Sequence, residues 1–177
     1  MGNLKREFYK KDNTILSLSE TLESLITNDT VIVCIGTDKV VGDSLGPLVG
    51  TMLKNSGCIY PIYGTLDSPV HALNIHDTIA KINKEYPKSN ILSIDACVGK
   101  TVGEIVIRDE PISPGKGAGK QLPDIGNHSI VGIVDTSYCT NNLLKNIRLG
   151  FILKMSEIIA TSIILAIDKN KEVNSNG

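Results

Sequence analysis

One stretch limits this chain more than any other, residues 31–50, VIVCIGTDKVVGDSLGPLVG. Val31, Ile32, Val33 and Ile35 form a β-branched run that stops at Gly36 and gives way to eight polar and small residues before the apolar pattern resumes. A strand followed by a glycine turn and a helix is half of a strand-helix-strand unit. Residues 45–53 continue as that helix, with Asp43 and Ser44 as capping candidates and Pro47 acceptable in the first turn. Such a unit commits the neighbouring strands to a parallel sheet, and the rest of the chain has to supply them.

It does so in order. Residues 17–28 carry leucines at 18, 22 and 25 and suit an amphipathic helix ahead of the first strand. A second strand runs over residues 58–63 and ends at Gly64. The Ser68-Pro69 pair predicts entry to a helix that leaves at Pro87. NILSID is a short third strand, and VGEIVIRD and HSIVGIVDT are two more. The last helix spans residues 141–168. This alternation predicts right-handed crossovers and a three-layer α/β/α domain whose twisted sheet is mostly parallel. One domain accounts for residues 1–177, with residues 1–14 and 169–177 as flexible ends.

Lys plus Arg number 18 and Asp plus Glu 19, so global charge favours neither nucleic acid nor an anionic membrane as a partner. Cys34, Cys58, Cys97 and Cys139 form no C-x-x-C and read as reduced thiols of a cytoplasmic protein. The start MGN lacks the Ser or Thr that myristoylation needs, because Arg6 stands there, and no apolar signal segment follows. Residues 149–167 are apolar enough for a membrane span, but Lys154 and Glu157, spaced i, i+3, mark a globular helix instead. Whether copies associate into a homo-oligomer is left open.

In a doubly wound sheet with strand order two-one-three, ligands bind beyond the carboxyl ends of the first and third strands. The first of these carries Asp38 and Asp43 in its following loop, and the third ends at Asp95. Asp43 and Asp95 therefore converge on one crevice. A helix cap is the plain reading of Asp43. Asp95 has no such alternative, since an acid closing an apolar strand must pair, bind a cation or face a wet cleft. Two adjacent carboxyls share a proton or a divalent cation. Gly36, Gly42 and Gly46 do not make G-x-G-x-x-G, and SPGKGAGK lacks the Ser or Thr of a P-loop, so no nucleotide site follows. Cys97 and Ser44 lack a locatable base. His71 and His76 fall on the predicted helix, whereas His128, after the long EPISPGKGAGKQLPDIGN loop, is the histidine best placed as a metal ligand.

CIGTDKVVGDSLGPLVG, YGTLDSPVHALNI, SIDACVGK and the segment from Gly103 to Asp135 together resemble the YyaC family of sporulation proteins, over about residues 20–170. That family is similar to the germination protease of spore-forming bacteria and, more distantly, to hydrogenase maturation proteases. The resemblance implies a cytoplasmic endopeptidase of the forespore or spore core, acting on a protein or peptide such as the small acid-soluble spore proteins. It places catalytic acids at Asp43 and Asp95, in the segments GDSLGP and SIDAC. Backbone at Gly36, Gly42, Pro114, Gly115, Gly117 and Gly119 would meet the substrate. If a divalent metal is held, Asp43 and Asp95 hold it, with His128 as the third ligand. A non-catalytic protein that keeps the crevice for a peptide or metal is the alternative, and a nickel-gripping maturation protease is another.

Overall fold

A computed structural model describes residues 2–115, 122–136 and 147–175. Its sheet has six strands, β1 (Asn3–Phe8), β2 (Thr30–Cys34), β3 (Ile62–Tyr63), β4 (Asn90–Gly99), β5 (Glu104–Arg108) and β6 (His128–Thr136), in the order β1-β5-β6-β4-β2-β3. The helices are α1 (Thr14–Glu23), α2 (Leu45–Asn55), α3 (Ile75–Glu85) and α4 (Leu149–Ser175). Every residue of β2 is buried, as a strand between two parallel neighbours and two covered faces requires. β2 pairs in parallel with β3 and β4, and β4 with β6, whereas β5 runs antiparallel to β6 and β1.

Leu18, Leu22, Leu45, Leu53, Met155 and Ile163 from α1, α2 and α4 pack on Ile32, Leu92, Ile94 and Ile107 of one sheet face. The other face, with Val31, Val33 and Val131, meets Ile75 and Ile82 of α3 and Ile112 and Ile125 of the long connection. The fold is thus the expected three-layer α/β/α, with a lopsided cover. α4 contains a 24-residue stretch apolar enough to cross a membrane. Its Ile152, Met155, Ile159 and Ile163 are at most 1% exposed, so the apolarity serves the domain core.

Several expected boundaries move. Residues 3–14 are not part of a flexible end, because β1 pairs with β5 over Arg6↔Val106 and Phe8↔Glu104 and α1 begins at Thr14. β1 escapes notice in the sequence because an edge strand pairs on one side only and tolerates charge. The Glu7 carboxylate is buried yet satisfied, accepting from Lys11 Nζ at 2.7 Å and Ser17 Oγ at 2.6 Å. α4 likewise runs past Asp168: Asn170 Nδ2 donates to the Glu23 and Ile26 carbonyls at 3.0 and 3.1 Å, docking the expected tail on the end of α1. Of the expected last helix, residues 141–146 lie outside the described part. α3 starts at Ile75 rather than at the Ser-Pro pair, since Val70 is drawn into a parallel bridge with Ile35.

Candidate active site

The crevice opens where β2 stops and β4 goes on. Cys34 is the last β2 residue, opposite Ile94, so Asp95 is the first β4 residue with no β2 partner. On its other side Asp95 is still held in register with Val131 of β6. The expected strand end at Asp95 is therefore corrected, because pairing with β6 carries β4 on to Gly99. Asp95 is half-buried at this level of the strand, and its β2 flank is open.

Beyond β2 the backbone is folded tightly around Gly36. Its φ is +138°, and a Cβ there would lie 2.0 Å from the Asp43 carbonyl oxygen, which only glycine avoids. The Gly36 N–H donates to the Val70 carbonyl at 2.8 Å, and the Thr37 N–H donates to that of Asp43 at 3.0 Å. Asp43 sits in a 3-10 turn, Val41–Ser44, that leads into α2. At Gly46 a side chain would lie 2.1 Å from the Ile35 carbonyl, so α2 presses its first turn against the end of β2. The spacing in GDSLGP thus aims Asp43 into the space beyond β2. Neither Asp43 nor Ser44 caps α2 with its side chain, because the Ser44 hydroxyl donates to the Val41 carbonyl at 2.6 Å. Gly42 is buried within the 3-10 turn and makes no left-handed turn of its own, a role that falls to Gly36 alone in this loop.

The two acids sense each other. Burial, and then the charge of Asp43, raise the Asp95 pKa well above the usual carboxyl value against the effect of its Ala96 N–H, which donates to Oδ1 at 2.8 Å. Burial pushes the Asp43 carboxyl up to about 6, while the Thr37 N–H and His71 oppose the rise. Burial and the partner's charge thus both favour the protonated form of Asp95, whereas the rise at Asp43 is opposed by two groups that favour its ionised form. Asp38 is exposed on the loop and takes no part.

His71, which the sequence pattern assigns to a helix, belongs to this crevice. It follows Val70, whose carbonyl is bound by Gly36, and it lies near enough to Asp43 that a positive charge on its ring would favour the ionised carboxylate. Only the pairing of Val70 with Ile35, a tertiary event, brings it there. His128 goes elsewhere. It begins β6 opposite Leu92, three positions short of the Asp95 level, and its Nδ1 lies 2.8 Å from Asp109 Oδ1. Asp43, Asp95 and His128 are therefore not gathered as a ligand set, and no group of three or more His, Cys, Asp or Glu suits a metal among the described residues. Burial pushes the Cys97 thiol up to about 11, which leaves it a poor nucleophile.

The base of the long loop is clamped. Ile112 and Ile125 exchange backbone hydrogen bonds of 2.9 Å, and Ser113 Oγ donates to Asp124 Oδ1 at 2.6 Å. Pro114 is buried above this clamp and Gly115 has φ +70°. Gly117 and Gly119 lie outside the described residues.

Comparison with known proteins gives three findings. A family profile described as "Protein of unknown function (DUF1256)" matches residues 6–162. The uncharacterized protein YyaC of Bacillus subtilis (strain 168) is 42% identical over 160 residues, covering 88% of this chain and 77% of YyaC. A solved [NiFe] hydrogenase maturation protease, HycI from Thermococcus kodakarensis KOD1, superposes with a TM-score of 0.49 at 18% identity, covering 81% of this chain and 98% of HycI. On the first two of these, the chain belongs to the DUF1256 family, together with YyaC.

Proposed function

We propose that the protein is an endopeptidase of sporulating or germinating cells in which Asp43 and Asp95 activate water against a peptide carbonyl. The observation that carries this reading is the meeting of two carboxyls in one crevice beyond the end of β2, where burial raises both and the charge of Asp43 raises Asp95 further. A coupled pair of this kind supplies a base and an acid at one pH. Asp43 would take a proton from the attacking water while Asp95 gives its own to the developing oxyanion. The tetrahedral gem-diol would then collapse as Asp43 passes the water-derived proton to the leaving amine and Asp95 recovers a proton from a gem-diol hydroxyl. Backbone near Gly42, Pro114 and Gly115 would border the substrate. The Gly36 N–H is spent on Val70 and is not available to an oxyanion.

The resemblance to the germination protease supports small acid-soluble spore proteins as substrates and the spore core as the place of action. The test is to incubate purified protein with those proteins, with added divalent metal and with chelator. Fragments that survive chelation and vanish in Asp95→Asn, with the melting temperature within a few degrees, are the expected result. Unchanged cleavage by Asp95→Asn would remove the assignment. A complex without fragments would point to a binding protein that keeps the crevice. Activity restored only by metal would mean that Asp43 and Asp95 hold a cation, with water or substrate completing its shell.

A further inference from the structure

Leu73 is 90% exposed, more than any other large apolar residue described, the next being Ile59 at 63%. Isolated apolar side chains on a surface are common and usually mean nothing. Leu73 differs in how firmly it is held and in where it stands. The turn over residues 69–74 is pinned from within. Asn74 Oδ1 accepts from the His71 N–H at 2.8 Å, and Asn74 Nδ2 donates to the Pro69 carbonyl at 2.9 Å. The Leu73 N–H donates to His71 Nδ1 at 3.3 Å. Val70 and Ile75, 4% and 0% exposed, anchor the turn to the core on either side. A backbone so restrained presents one side chain in one place, which lowers the ordering cost of binding to it.

That place is the lip of the acid crevice. Gly36 packs too close to the Asp43 carbonyl to admit a Cβ and binds the Val70 carbonyl with its N–H, so Asp43 and the 69–74 turn flank one residue. We propose that this turn is the substrate-contact element of the crevice and that Leu73 is its specificity contact, taking an apolar side chain of an extended peptide beside the bond to be cleaved. The proposal rests on the reading of the crevice as a peptide site.

Leu73 supports nothing in the fold, so removing it isolates the contact. With fluorescein-labelled casein as probe and the full chain as enzyme, Leu73→Ser should raise KM about tenfold while kcat and the melting temperature stay unchanged. An unchanged KM would overturn the proposal. A second measurement does not need hydrolysis. p-Benzoylphenylalanine at position 73 should photo-crosslink casein, and the same residue at position 59, on the segment entering β3 at the amino end of the sheet, should not. No adduct at 73, or equal adducts at both positions, would overturn the contact. An adduct at 73 without any cleavage would uphold the contact and defeat the peptidase reading alone.

Discussion

Asp43→Asn should make the folded protein more stable at alkaline pH while removing its chemistry. In the unfolded chain the Asp43 carboxyl ionises near its ordinary 3.8, and in the fold burial moves it to about 6. Between those values the native state holds a proton that the unfolded state has lost, so stability falls as pH rises. Below the unfolded value there is no penalty, and above about 6 the penalty is complete. At 1.36 kcal/mol per pH unit the rise corresponds to about 3 kcal/mol. Asp43 keeps part of its surface in water, and screening reduces this to about 1–2 kcal/mol. Asparagine is neutral throughout and keeps an oxygen that can accept from the Thr37 N–H. Urea denaturation of both proteins at pH 8 and pH 4 measures the difference. The Asp43→Asn protein should gain about 1–2 kcal/mol at pH 8 and only a few tenths at pH 4. A gain of equal size at both values, or none at pH 8, would refute burial as the cause of the shift.

Other outcomes follow from the same geometry. Gly36→Ala puts a Cβ 2.0 Å from the Asp43 carbonyl at φ +138°, so it should cost more than about 2 kcal/mol in thermal denaturation, and amide chemical-shift changes should centre on residues 36–46. Asn170→Ala removes the two hydrogen bonds that dock α4 on the end of α1 and should cost about 1–2 kcal/mol by urea denaturation. An unchanged midpoint would mean that water satisfies the Glu23 and Ile26 carbonyls equally well. Asp43→Asn combined with Asp95→Asn should give less than the sum of the single stability changes, because part of the Asp95 shift comes from the charge of Asp43.

Much of the fold is legible in the chain because its signals are local. The unbroken Val31 to Ile35 run, the glycine after it and the leucine spacing of the first helix each follow from a few adjacent residues. β1 is not legible in this way, since a charged edge strand looks like a solvated segment until β5 is beside it. α3 loses its first expected turn for a similar reason. The Ser-Pro pair is a genuine helix-entry pattern, but Val70 gains a sheet hydrogen bond from Gly36 that a helix there would forfeit.

For the candidate site the division is sharper. That a strand-borne acid and a loop-borne acid would share one crevice follows from the sequence, through the order of strands and helices and the rule that ligands gather at strand carboxyl ends. Which histidine stands beside them does not. His71 arrives through the Val70 bridge, and His128 is carried to the opposite end of β6 by its pairing with Leu92. Nor could the sequence say that burial raises both carboxyls and that the charge of Asp43 raises Asp95 further. A residue's type sets its ordinary pKa, but the departure from it is made by the atoms that exclude water and by the nearest charge, and in this protein those come from parts of the chain that only the folded sheet brings together.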